Sequence, residues 1–206
     1  MRLSFKLLAL CVLLLTGFAA HGFAQLQGTY EVVGPVPAAH SLNTVKMEEF
    51  LNFTCPHCNN FREAAKPVYA KYGKRLQATY VPILFRGQSD TPLRLFFIAE
   101  RQGRGEEMMG LIFDATFRYG VNINDPKIMS YVARSAGLAD EFRDQYDAEW
   151  VQEKIRQAHL RADKFGIEAT PTIVLNGSLR LVPQTGMQSF VSNLDRIIGQ
   201  LLRKQS

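Results

Sequence analysis

The chain has 206 residues, of which 47% are hydrophobic and 21% are charged, a composition that excludes a disordered or fibrous protein and is sufficient for a substantial core. Its formal net charge at pH 7 is +5 and its basic residues form no long run, so we expect no nucleic-acid partner. The length predicts one domain with room for an insertion.

The N-terminal segment has the features of an export signal. Two basic residues precede an uncharged apolar run from Leu7 to Ala20, which is too short to span a bilayer because a spanning helix needs about 20 apolar residues. Gly22 and Ala24 are small residues at a spacing that a signal peptidase accepts. We therefore expect residues 1–24 to be a signal peptide that directs export to the periplasm, with an uncleaved anchor as the alternative.

Removal of this segment changes both the charge and the cysteine count. It takes two of the 24 basic residues and leaves 22 basic against 19 acidic residues, a formal charge of +3. It also removes Cys11, so that Cys55 and Cys58 remain in an oxidising compartment. A structural disulfide between these two cysteines would add little stability, because closing so small a loop removes little entropy from the unfolded chain.

Strand and helix patterns alternate in the first part of the mature chain. Tyr30 to Pro37 is the first predicted strand, and the β-branched and aromatic residues of Val45 to Phe53 predict a buried second strand. A helix is predicted from Pro56 to Gly73, with a kink at Pro67. A further strand is predicted over Gln77 to Phe85, with Pro82 marking an edge or the strand end.

The strand signal then disappears until the last third of the chain. Apolar residues at helical spacing predict several helices over residues 89–165. Residues 172–175 and 179–182 flank Asn176-Gly177, which predicts a hairpin. The regular apolar stripe of residues 187–202 predicts an amphipathic C-terminal helix that covers the sheet.

The two cysteines lie where a strand ends and a helix begins. Cys55 is placed to face the free N–H groups and the positive end of the helix dipole, which favour a thiolate over a thiol. Cys58 lies one turn further into the helix, where desolvation keeps a thiol protonated. His57 adds a donor or a positive charge. A stabilised thiolate favours the reduced, dithiol form. The sequence between the cysteines therefore favours a disulfide that is readily donated to other thiols.

Metal and haem sites fit the sequence poorly. Structural zinc needs about four ligands, whereas the chain has no second cysteine pair, and His40 and His159 have no characteristic spacing to the first. Haem attachment needs a histidine directly after the second cysteine, where Asn59 stands. We therefore expect no metal and no organic cofactor.

A second short motif, Thr170-Pro171, lies directly before a predicted strand. A proline there can adopt a cis bond and leave the Thr170 backbone able to pair with an extended partner, although an ordinary trans proline is the more common case.

Together Cys55-Pro56-His57-Cys58, Thr170-Pro171 and the helical insertion resemble the DsbA-type thiol:disulfide oxidoreductases of the thioredoxin superfamily. The resemblance covers nearly the whole mature chain, residues 25–206. It implies an α/β, DsbA-like structure: a thioredoxin-like fold with a helical insertion domain. The core would span about residues 28–88 and 166–206, and the insertion about 89–165.

The resemblance also implies roles for individual residues. Cys55 would be the accessible nucleophile and Cys58 its buried partner, joined by Pro56 and by His57, which tunes them. Thr170 and the cis Pro171 would bind substrate.

Glu49, six residues before Cys55, matches a buried acidic residue of the family that assists proton movement. A solvated strand charge is the alternative interpretation, since Glu is rarely fully buried.

The implied function is that of a monomeric protein-disulfide oxidase. Reduced or unfolded exported proteins would be its substrates, and a DsbB-like membrane quinone oxidoreductase would reoxidise it. A periplasmic reductase or isomerase is the first alternative, because Thr170 replaces the valine of the best-known member and is more usual in isomerase relatives. A thioredoxin-fold chaperone or binding protein is the second.

Overall fold

The structure, a computed structural model, describes residues 26–183 and 186–204. The predicted signal peptide, residues 1–24, therefore lies outside the described residues. Within them, no helix is both long enough and apolar enough to cross a membrane.

Five strands form one mixed sheet in the order β1-β5-β4-β2-β3. The strands are β1 (Glu31–Val32), β2 (Val45–Leu51), β3 (Leu76–Pro82), β4 (Thr172–Leu175) and β5 (Leu179–Leu181). Strands β2 and β3 are parallel, and every other neighbouring pair is antiparallel. The central position of β2 and β4 brings the residues that follow β2 next to those that precede β4.

Eight α-helices occur within the described residues. They are α1 (Pro56–Ala64), α2 (Lys66–Tyr72), α3 (Thr91–Arg101), α4 (Gly105–Phe117), α5 (Pro126–Ser135), α6 (Ala139–Gln145), α7 (Glu149–Lys164) and α8 (Met187–Leu201). The first two form the crossover that the parallel pair β2 and β3 requires. Helices α3 to α7 all lie between β3 and β4, so the predicted α/β fold with a helical block between its strands is confirmed.

Prolines set several boundaries that differ from the predicted ones. The first predicted strand, residues 30–37, is reduced to β1, because Pro35 and Pro37 have no N–H to donate to a neighbouring strand. Strand β3 ends at Pro82 rather than at Phe85 for the same reason. The strand predicted over residues 45–53 also ends early, at Leu51.

Pro67 divides the predicted helix into two. Helix α1 ends at Ala64 and α2 begins at Lys66, so that Pro67 lies in the first turn of the second helix, where its missing N–H costs nothing. An uninterrupted helix would have set the proline ring against the carbonyl of Glu63. Gly73 ends α2 with a positive φ of 48°, as the sequence predicts.

Alternate residues of β2 face two different cores. Val45 and Met47 are fully buried in a core shared with Phe61 of α1 and with the inner face of α8. Phe50 points to the opposite face, where its ring lies 6.1 Å from that of Phe165. The end of β2 that leads to the cysteine pair, from Glu49 to Leu51, is therefore buried on both sides, which fixes its position.

Phe53 connects the end of this strand to the helical block. It is 2% exposed, and its ring centroid lies 6.0 Å from that of Phe96 in α3 and 5.4 Å from that of Phe113 in α4. Because Phe53 stands two residues before Cys55, the helical block holds the turn that carries the cysteine.

We expect Phe53→Ala to lower the free energy of unfolding by about 3–5 kcal/mol, the usual cost of removing a fully packed aromatic ring. Urea unfolding of the dithiol form measures it. Phe85→Ala is the matched control, since Phe85 is 39% exposed, and should cost much less. Equal costs for the two variants would contradict the packing of Phe53 against Phe96 and Phe113.

Candidate functional site

The first turn of α1 presents the cysteine pair. Cys55 is the N-cap of this helix, with extended dihedral angles (φ −88°, ψ 113°), and its N–H donates to the Asn52 carbonyl over 3.0 Å. Cys55 is partly buried, whereas Cys58 is completely buried; Pro56 and His57 between them are exposed. The local structure therefore gives the two sulfur atoms different surroundings.

The segment before β4 lies directly against Cys55. The Thr170–Pro171 peptide bond is cis, and Sγ of the Cys55 thiol donates to the Thr170 carbonyl oxygen over 3.2 Å. Thr170, Pro171 and His57 line one groove of about 530 Å³. The structure thus brings together two motifs that are 115 residues apart in the sequence.

The surroundings of Cys55 favour its thiolate and lower its pKa from 9.0 to about 5. The largest cause is a hydrogen bond from the Cys58 thiol, and burial opposes it. The Thr170 side chain and the N–H groups of His57 and Cys58 lower the pKa further, as expected at a helix N-terminus. The Thr170 carbonyl accepts a hydrogen bond only from the thiol form, so this contact belongs to the protonated state of Cys55.

The pKa of Cys58 is shifted in the opposite direction, well above its usual value of 9.0. Desolvation is the largest cause, and the hydrogen bond to Cys55 adds to it because a Cys58 thiolate could not donate. At neutral pH the dithiol therefore holds one negative charge, on Cys55, and one proton, on Cys58.

Glu49 is 2% exposed in β2, so it is not a solvated strand charge. Its Oε2 accepts a hydrogen bond from the Tyr69 hydroxyl over 2.8 Å. Burial raises its pKa from 4.5 to about 7; the Tyr69 hydrogen bond opposes this shift, and the charge of Glu106 adds to it. No hydrogen bond in the described part of the chain joins Glu49 to either cysteine, so the proton-relay role stays a prediction.

The sequence did not predict the hydrogen bonds that Asn52 forms beside Cys55. Asn52, 2% exposed, donates to the Ile83 carbonyl (2.8 Å) and to Gln88 Oε1 (2.7 Å), while its Oδ1 accepts from the Thr54 N–H (2.9 Å). Gln88 in turn donates to Thr54 Oγ1 over 2.7 Å. These contacts tie the turn before Cys55 to the loop after β3. The available signal was an asparagine between two apolar residues, Leu51 and Phe53, at the end of the predicted strand.

Comparisons with known proteins agree with this geometry. The profile of the DSBA-like thioredoxin domain family matches residues 46–195. The thiol:disulfide interchange protein DsbA of Burkholderia cepacia is 26% identical over 187 residues, covering 86% of this chain and 88% of that protein. That of Pseudomonas syringae is 26% identical over 151 residues, covering 73% and 70%. The solved oxidoreductase DsbA of Xylella fastidiosa superposes with a TM-score of 0.70 at 23% identity, covering 84% and 97%.

Two variants of Cys58 test the cause of the low Cys55 pKa. In Cys58→Ala the thiol donor is lost, so we expect the midpoint of Cys55 alkylation by iodoacetamide to rise above about pH 5 by roughly one unit or more. Cys58→Ser retains a hydroxyl donor and should keep the midpoint lower than the alanine variant. Identical midpoints in the two variants would show that the hydrogen bond is not the cause.

The buried Glu49 predicts a pH-dependent stability. Its folded-state pKa of about 7 lies above the ordinary 4.5, so its contribution is fully present below pH 4.5 and is lost as the pH rises through 7. Relative to Glu49→Gln, the wild type should lose on the order of 3 kcal/mol of unfolding free energy across this range. Urea unfolding at several pH values measures this, with the exposed Glu149→Gln as control. Parallel wild-type and Glu49→Gln curves would refute the shift.

Proposed function

Since the chain belongs to the DSBA-like thioredoxin domain family and is a protein thiol:disulfide oxidoreductase, we propose that it works as an exported oxidase. In this role it donates the Cys55–Cys58 disulfide to cysteine pairs of folding periplasmic proteins. The observation that carries the proposal is the low pKa of Cys55 beside the raised pKa of Cys58.

The direction of transfer follows from that asymmetry. Reducing the disulfide releases one sulfur as a stabilised thiolate and the other as a buried thiol. The more stable this dithiol form is, the more readily the disulfide is given away. The Thr170 side chain contributes in the same direction, because it lowers the pKa of Cys55 further. A threonine before the cis proline is therefore compatible with an oxidase.

The reaction proceeds in two exchanges. A substrate thiolate attacks Sγ of Cys55, the Cys55–Cys58 bond breaks, and the Cys58 sulfur leaves and takes up a proton, which its raised pKa favours. A second substrate thiolate then attacks the substrate sulfur of the mixed disulfide. Cys55 leaves as a thiolate, and two electrons have passed from the substrate to the cysteine pair.

The other predicted site residues have supporting roles in this proposal. Thr170 and Pro171 border the accessible sulfur and offer backbone groups to an extended substrate, and the exposed His57 faces the same groove. Pro56 begins the helix with a residue that has no N–H to satisfy. Glu49 relays the proton that Cys58 gains, since a pKa of about 7 suits proton transfer at neutral pH.

Turnover requires a partner that reoxidises the dithiol, and we assign this step to a DsbB-like membrane quinone oxidoreductase. The signal peptide of residues 1–24 directs the protein to the periplasm, and the mature chain of residues 25–206 acts as a monomer without a cofactor. Reduced or unfolded exported proteins are the substrates.

The equilibrium with a glutathione redox buffer tests the direction of transfer. We expect the Cys55–Cys58 couple to lie at or above the potential of the glutathione couple, since the Cys55 thiolate stabilises the dithiol. Alkylation of the free thiols followed by mass spectrometry measures the reduced fraction. A strongly reducing couple would favour a reductase instead.

Oxidation of a reduced, unfolded protein tests the roles of the cysteines. Cys55→Ser, Cys58→Ser should abolish catalysed oxidation, because no disulfide can form. A chaperone would give a different result: the double variant would suppress aggregation as well as the wild type does, and the wild type would catalyse no oxidation.

A further inference from the structure

One charge of the groove beside the cis proline is not balanced by a neighbour. Glu31 and Arg180 line the groove and form an ion pair with each other. Arg180 also donates to the carbonyl oxygens of Phe165 (2.6 Å) and Gly166 (2.7 Å). Glu168 is exposed in the same groove, and no ion pair within residues 26–183 and 186–204 involves it.

The remaining lining contains no permanently charged group that would compensate this carboxylate. His57 is the other titratable residue there, and the rest of the lining is uncharged. The groove is thus locally acidic although the whole chain has a formal charge of +5.

Glu168 also lies close to the reacting sulfur. It stands two residues before Thr170, whose carbonyl oxygen is 3.2 Å from Cys55 Sγ. Two residues span at most about 7 Å, and the Debye length rises from about 8 Å at physiological ionic strength to about 30 Å at 0.01 M. At low ionic strength, a charge carried by a substrate next to its attacking cysteine therefore falls within the field of Glu168.

We propose that Glu168 determines specificity by favouring substrate segments that carry Lys or Arg beside the attacking cysteine and by disfavouring segments that carry Asp or Glu there. This inference rests on the proposed function, because it requires that a substrate thiolate attacks Cys55. Pro171, Val182 and Met187 give the groove an apolar lining without charge, so discrimination by charge falls to Glu168.

The test uses three reduced peptides with two cysteines each. They differ only in whether the residues on both sides of the first cysteine are Lys, Gln or Glu. Each peptide is mixed with the disulfide form of the enzyme at low ionic strength, and the rate of peptide disulfide formation is measured. A neighbouring Lys also lowers the thiol pKa of the peptide itself, so the informative quantity is the Lys-to-Glu rate ratio compared between enzyme variants.

We expect Glu168→Gln to reduce this ratio by about threefold, the scale of one exposed charge pair, and Glu168→Lys to reduce it further. The thiolate of the Gln peptide is itself negative, so this peptide should react no more slowly with Glu168→Gln than with the wild type, and the Lys-to-Glu ratio cancels this common effect. Glu149→Gln removes an exposed carboxylate outside the groove and should leave the ratio unchanged. High salt should shrink the wild-type ratio toward that of Glu168→Gln.

The outcomes separate the two hypotheses. An unchanged ratio in Glu168→Gln, with all three peptides still oxidised, would overturn the specificity role and leave the oxidase function intact. Failure of the wild type to oxidise any of the peptides would instead overturn the proposed function, and the specificity role with it.

Discussion

Unequal solvation of two sulfur atoms one helical turn apart is the constraint on which the site depends. Cys55 caps the helix at the protein surface, while Cys58 lies in the core with no exposed area. The Cys58 thiol and, to a smaller extent, the helix N–H groups stabilise charge at the first position by hydrogen bonds, and the apolar core excludes charge at the second. One short helix therefore creates both a good leaving group and a protonated partner.

The sheet keeps this arrangement in place. The last three residues of β2 are buried, and the strand ends just before the cysteine turn. There Asn52 binds the loop after β3, and Phe53 packs into the helical block. The neighbouring strand β4 begins directly after Pro171, so the antiparallel pairing of β2 and β4 sets Thr170 against Cys55. The helical block thus supports the redox turn from one side, and the cis-proline segment borders it on the other.

The groove and the buried carboxylate add two different kinds of electrostatic control. Glu49 is buried beside Tyr69, where its protonation responds to pH near neutrality. Glu168 is exposed, so its charge acts on a substrate that approaches the groove. The same residue type therefore serves two purposes, because desolvation shifts a carboxyl pKa and exposure leaves the charge available to a partner.

The sequence by itself determined the order of strands and helices, the hairpin at Asn176-Gly177 and the chemistry of the Cys55-Pro56-His57-Cys58 turn, because these depend on local periodicity, turn residues and helix termini. It overestimated the first strand, since the apolar residues before Pro35 outweighed the missing proline donors. Only the tertiary structure decided the contact of Thr170 with Cys55, the burial of Glu49 and the pairing of Arg180 that leaves Glu168 unbalanced. These features join residues distant in the chain, and packing of the sheet against its helices, rather than any local pattern, brings them together.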